Sequence, residues 1–182
     1  MMSKPPTADE RRTEFEALYA RHSREVWAMA YARWMDADLA LDIVQEAYLR
    51  LWKHWEANAE EIQNIRAWLL RVARNLAEDY AKSSFRRNGT TPTQMMNGVQ
   101  TKEPAPLELM ERAETFKQIR STLEELPASD RDLLTLRYAL EYDAAQIAEI
   151  LGINATAVHM RLSRARQRLA DRLTAQGTTN LP

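Results

Sequence analysis

Cysteine is absent from this 182-residue chain, which therefore has no disulfide framework, no thiolate metal site and no thiol redox switch of its own. Glycine is scarce, and all four, Gly89, Gly98, Gly152 and Gly177, fall outside the stretches with apolar periodicity. No run approaches the roughly 18 to 20 apolar residues that a membrane-spanning helix needs, and Met1 to Pro6 lack the apolar centre of a secretion signal. A cytoplasmic location without membrane insertion is the expectation. No segment alternates in the manner of a β-strand. The three histidines, His22, His54 and His159, are far apart in sequence and have no neighbours at ligand spacing, so no metal is expected. No nucleophile with base and orienter and no phosphate loop is visible, so neither an enzyme nor a cofactor-binding protein is expected.

What is present is an ordinary globular balance, with 45% hydrophobic and 28% charged residues. The net charge of −1 conceals segregation. Residues 62–87 hold six basic groups against two acidic ones and residues 153–182 five against one, while the intervening and preceding blocks are acidic. Two local basic patches suit phosphate contacts, because counterion displacement depends on local potential and not on overall pI.

The segment 88–106 combines turn formers with Pro92, Pro104 and Pro106 and has no helical apolar stripe, the composition of a flexible tether. It divides the chain into two small all-α domains, 1–87 and 107–182. Upstream, helical spacing links Phe15, Leu18, Tyr19, His22, Val26 and Met29. It recurs through Val44, Ala47, Tyr48, Leu51 and Trp55, and again through Ile65, Trp68, Leu69, Val72, Leu76 and Tyr80. Downstream, Phe116, Ile119, Leu123 and Leu126 mark one helix, and Leu133, Leu136 and Leu140 another. All five tryptophans lie upstream of the tether and read as core or interface aromatics.

The most specific local signal spans residues 142–173. Asp143 and Gln146 fit a capping box, Ile147, Ala148 and Leu151 face inward, Gly152 supplies a turn and Asn154 caps the next helix. This is a helix-turn-helix. In its second helix Val158, Leu162, Ala165, Leu169 and Leu173 form the buried stripe. Thr156, His159, Met160, Ser163, Arg164 and Gln167 then point outward, flanked by Arg161 and Arg168. Short polar groups with arginines suit base edges and phosphates in the major groove. The other patch sets Arg66, Arg71, Arg74, Asn75, Glu78 and Lys82 opposite an apolar stripe, with Arg86 and Arg87 beyond it. Arginine and asparagine interleaved with aromatics suit a single strand. On residues alone an ordinary transcriptional regulator, or a protein-interaction module whose basic faces meet acidic protein surfaces, stays open.

The combination of segments, from about Phe15 to Leu173, resembles the extracytoplasmic-function (ECF) type of sigma factor in the sigma-70 family. Residues 42–52 (DIVQEAYLRLW) look like the region-two helix that docks on the polymerase β′ clamp helices. Residues 64–76 (NIRAWLLRVARNL) look like the segment that melts and reads the minus-ten element, and residues 126–166 look like region four. The resemblance implies a protein that binds core RNA polymerase, through the β′ clamp helices and the β flap, and directs promoter-specific initiation under a regulatory partner such as an anti-sigma factor. By resemblance, Asp42, Gln45 and Glu46 meet polymerase. Asn64, Arg66, Arg71, Arg74, Asn75 and Lys82 meet the melted minus-ten promoter DNA. Arg137, Thr156, His159, Met160, Arg161, Ser163, Arg164 and Arg168 meet the minus-thirty-five duplex. The chain departs from the family pattern at Leu39 and Leu41, where carboxylates are usual, and at His159 and Met160, where lysine and a hydroxyl residue are usual.

Overall fold

The computed structural model describes residues 7–57, 62–88 and 120–175, with backbone alone for Ala8 and residues 81–88. The expected tether at 88–106 lies outside these residues except for Asn88, and so do the expected helix positions Phe116 and Ile119. All regular structure among the described residues is helical, in two clusters on either side of the undescribed stretch.

The first cluster contains α1 (Ala8–Trp34), α2 (Ala37–Glu56) and α3 (Ile65–Asn88). Thr7 and Glu10 close a capping box at the start of α1, satisfying backbone donors that the first turn leaves without intrahelical partners. Met35 ends α1 in the left-handed conformation, φ 53°, and Asp36 at once caps α2 by accepting from the Leu39 N–H at 3.0 Å. That two-residue connection turns α2 back along α1. Asn64 caps α3 in the same way, its Oδ1 accepting from the Ala67 N–H at 3.0 Å. The apolar stripes meet in a core of Val26, Met29, Ile43, Leu51, Leu69 and Leu70, packed close by the small Ala47 and Ala73. The five tryptophans border this core half-buried, and none is fully enclosed.

The second cluster contains a helical stretch at 120–124, α4 (Ala128–Leu134), a π-helical turn (Thr135–Ala139), α5 (Ala144–Leu151) and α6 (Ala155–Ala175). The expected single helix through Leu140 is therefore interrupted. The wide turn closes with the Leu140 N–H on the Thr135 carbonyl at 3.0 Å, and Glu141 follows at φ 57°. Asp143 and Gln146 form the expected capping box on α5, Gly152 takes φ 66°, and the Asn154 Oδ1 accepts from the Ala157 N–H at 2.7 Å. No neighbour would obstruct a Cβ at Gly152, so its requirement there is conformational and not steric. Leu133, Leu136, Ile147, Ile150, Val158 and Leu162 form the core of this half.

The two clusters touch. Helix α4 packs against α1, and α5 packs against α3.

Candidate nucleic-acid interface

Helix α6 presents the outer face that its periodicity predicts. Val158, Leu162 and Ala165 are buried, and Leu169 and Leu173 are half-buried. Thr156, His159, Met160, Arg161, Ser163, Arg164 and Gln167 are exposed on the other side. Burying a valine or leucine stabilises by about 1.5–3 kcal/mol each, enough to fix the helix roll and hold the polar face outward. Arg161, Arg164 and Arg166 have no acidic partner among the described residues, so their charge is available. Arg168 is exposed too, but donates from Nη1 to the Asp130 carboxylate, while Arg172 reaches Glu125 at 2.7 Å. These two arginines brace α6 against the helices before it. Arg137 is exposed and donates to the Tyr142 carbonyl at 3.0 Å, tying the π turn to the entrance of α5.

Much of the described basic face of α3 is engaged. Arg66, Arg71, Arg74 and the capping Asn64 end on acceptors, several of them in the second cluster. Asn64 Nδ2 donates to Glu149 at 2.9 Å while Oδ1 caps the helix. Arg66 makes a two-point contact with Glu25 of α1 at 2.7 and 2.9 Å, and its guanidinium lies 4.3 Å from the centre of the Tyr142 ring. The Tyr142 hydroxyl donates to the same Glu25 carboxylate at 2.8 Å. Arg71 donates to the Glu149 and Ile150 carbonyls at the C-terminal end of α5, where the helix dipole favours a cation. Asn75 is exposed, and the Lys82 side chain lies outside the described residues. Beside Arg71, His54, Gln63, Asn64, Trp68 and Glu149 border a cavity of about 290 Å³ at the seam.

The most buried charge in the interface is Asp132 on α4, whose side chain is 1% exposed. Its Oδ2 accepts from Arg33 of α1 and, at 3.1 Å, from Arg74 of α3. Its Oδ1 is buried with no hydrogen-bond partner among the described residues. Burial pushes the Asp132 carboxyl above the usual carboxylate range despite both guanidiniums. At Glu25 burial also opposes ionisation, but hydrogen bonds from Arg66 and Tyr142 prevail and hold that carboxyl below its ordinary value. Arg131 Nη2 donates to the Arg33 carbonyl and Arg120 Nη2 to the Met35 carbonyl, each at 2.6 Å, so the C-terminal end of α1 is gripped by two cations. Glu25, Arg33, Asp132, Tyr142 and Glu149 were not singled out by the sequence patterns. Arg33 carried a signal, as a lone charge within Ala30–Trp34, an otherwise apolar run.

On α2, Asp42 and Gln45 are exposed, and Glu46 pairs with Arg50 at 2.9 Å on the same outward side. The two departures beside them differ. Leu41 is 51% exposed, whereas Leu39 is 8% exposed and belongs to the core, so an acid restored at 39 would not reach a docking surface. Leu41 also lines a groove of about 550 Å³ with Tyr19, Trp27 and Val44 from the first cluster and Ala139 and Leu140 from the second. Among the described residues no grouping of side chains could hold a metal ion, and no helix is long and apolar enough to cross a membrane.

Comparison with known proteins places these elements. Residues 18–87 match the family description "Sigma-70 region 2" and residues 116–169 match "Sigma-70, region 4". The chain is 35% identical to the ECF RNA polymerase sigma factor SigL of Mycobacterium tuberculosis over 160 residues, 88% of each chain. It is 27% identical to ECF sigma factor SigM of Bacillus subtilis, across 85% of this chain and 91% of that one. In fold it is similar to the sigma factor RpoE solved with the anti-sigma factor NepR from Bartonella quintana. The TM-score is 0.66, with 23% identity and coverage of 88% and 97%.

Proposed function

Because this chain belongs to the ECF group of the sigma-70 family, with the fold of a core-polymerase-binding sigma factor and no catalytic chemistry of its own, we propose that it directs initiation by reading two promoter elements with separate helices. The observation that carries this reading is the outer face of α6, where exposed polar side chains stand among Arg161, Arg164 and Arg166, which have no acidic partner among the described residues. Residues 107–182 act as region four, with Thr156, His159, Met160, Arg161, Ser163 and Arg164 on the minus-thirty-five duplex and Arg137 and Arg168 toward its phosphates. Residues 1–87 act as region two. Asp42, Gln45 and Glu46 dock on the β′ clamp helices, and Asn64, Arg66, Arg71, Arg74, Asn75 and Lys82 engage the melted minus-ten strand. The segment 88–106 joins them, and the β flap receives region four. The RpoE–NepR complex supports a protein regulator for this fold, and an anti-sigma factor is the partner we assign.

The mechanism is positioning. Duplex contacts recruit polymerase, and strand capture stabilises bases once they leave the stack, while the polymerase makes every bond. Permanganate footprinting with core polymerase on a matched promoter tests it, comparing closed duplex with a premelted bubble. Arg74→Ala with Asn75→Ala is expected to leave recruitment intact and impair opening, and the bubble is expected to restore the footprint. Normal opening of the duplex by that variant would remove α3 from the reading.

A further inference from the structure

One side chain on the outer face of α6 differs in chemistry from its neighbours. Val158, Leu162, Leu169 and Leu173 lie on the stripe that packs inward, whereas Met160 is 54% exposed. A step of about 100° per residue sets it roughly opposite that stripe, so it projects away from the domain body. It lies in the second turn of the helix, with Thr156 one turn before it and Ser163 one turn after. Arg161 and Arg166 fall on opposite flanks, roughly 100° and 120° round from it. A recognition helix turns its N-terminal side chains toward base edges in the major groove, while contacts to the flanking phosphates position it. The pole of the face, where Met160 sits, therefore meets the floor of the groove.

A thioether at that point sorts base pairs by what it lacks. It has no donor and is only a weak acceptor. Pressed on a G·C pair it would strip water from guanine O6 and N7 and cytosine N4 and return no hydrogen bond. The 5-methyl group of thymine is the apolar feature of the major-groove edges, and a flexible, unbranched side chain can lie against it. We propose that Met160 is a specificity-determining residue that selects a thymine in the upstream element through its 5-methyl group. The proposal rests on the role of α6 as duplex reader. Neighbouring side chains make other demands. Arg164, one turn further on, carries donors alone and suits guanine or phosphate. The Gln167 amide is drawn along the helix by Asp171, to which its Nε2 donates at 2.8 Å.

The test removes the methyl group from the DNA and the side chain from the protein. Holoenzyme assembled from the full chain and core polymerase first selects duplexes from a pool randomised over the upstream element, and a selected duplex is the probe. Each thymine of its element, on either strand, is then replaced singly by deoxyuridine, which deletes the methyl group and keeps every hydrogen-bonding atom. Competition binding by the parent chain is expected to weaken about fourfold at one thymine, the ratio that burial of a single methyl-sized group gives. Met160→Ala should bind the thymine and deoxyuridine duplexes equally at that position, and Met160→Leu should keep the difference. Arg164→Ala should weaken binding to both duplexes and leave their ratio unchanged. Equal binding of every deoxyuridine duplex by the parent chain would overturn the inference. So would a methyl effect that persists in Met160→Ala, which would assign it to another side chain such as Thr156. Both of those outcomes leave α6 as the duplex reader. A pool that yields no element at all would remove that role, and this inference with it.

Discussion

Arg74 of α3 lies 3.1 Å from the carboxylate of Asp132 on α4, 58 residues further along, and Arg33 of α1 holds the same oxygen from a third helix. Arg33→Met leaves a nearly buried carboxylate with one cation fewer, a change that costs about 3–5 kcal/mol when the charge has no other compensation and less here because Arg74 remains. Arg33→Met with Asp132→Leu is expected to recover most of the loss, since the desolvated charges leave together. Urea melts of the two singles and the double form the cycle that checks it, and strictly additive losses would contradict the coupling.

Acid should act on Glu25 with a defined sign. Arg66 and Tyr142 hold its native carboxyl below the ordinary glutamate value of 4.5, with His22 3.8 Å away, so its contribution to stability is complete above that value. The contribution is lost as pH falls through the lower native value. Asp132 runs the other way, its raised native value favouring proton uptake on folding, so the two must be separated by mutation. Glu25→Gln is expected to melt below the parent at neutral pH, with the gap closing as pH drops beneath about 4.5. Circular dichroism melts across that range measure it, and a constant gap would contradict it.

Within α6, stability and recognition should separate cleanly. Leu162→Ala removes a buried side chain and should cost about 2–5 kcal/mol, and Val158→Ala should be destabilising as well. Met160→Ala and Ser163→Ala should leave the denaturation midpoint almost unchanged. Arg164→Ala should weaken promoter binding by about 1–3 kcal/mol with altered sequence preference if it forks onto a guanine, or uniformly with a shallower salt slope if it meets phosphate. Fluorescence anisotropy on matched and scrambled duplexes in the presence of polymerase distinguishes these. Unchanged affinity on every duplex would remove Arg164 from the interface.

The α2 surface yields a paired expectation. Asp42→Ala with Gln45→Ala should reduce association with purified core polymerase without moving the melt, because both side chains are exposed. Leu41→Glu should be tolerated and strengthen docking if an added carboxylate at this exposed site reaches the clamp. Leu39→Asp should destabilise the first half by placing a charge in its core. Surface plasmon resonance and thermal melts on the same preparations decide it, and a stable Leu39→Asp variant would contradict its buried position.

The helices were legible where the chain obeys its own period. Asp143, Gln146, Gly152 and Asn154 announce the helix-turn-helix because capping and left-handed turns are local chemistry, readable without a fold. The stripe through Val158 and Leu162 was readable for the same reason. Leu134 and Ile150 escaped notice as core residues. The π turn after Leu134 changes the angular step between residues, so no regular helical period carries through to Leu140. Leu39 was read by family position as a missing carboxylate, although its four-residue spacing to Ile43 and Ala47 places it on the buried stripe. The partners of Arg66, Arg71 and Arg74 had no local signature at all. Glu25, the carboxylate partner of Arg66, follows from how α1 and α3 pack, and the partners of Arg71 and Arg74 follow from how the two helical clusters meet; the same guanidiniums could equally have faced solvent.

The confinement of all five tryptophans to the first half gives the molecule an optical asymmetry. Trp27 stacks on Tyr31 at 4.7 Å and shares its groove with Ala139 and Leu140 from the opposite cluster. Its indole emission is thus a native gauge of the seam, and parting the halves would wet that ring and move its emission to longer wavelength. The second half contributes no indole to the signal, so under selective excitation it is seen only through what it shields.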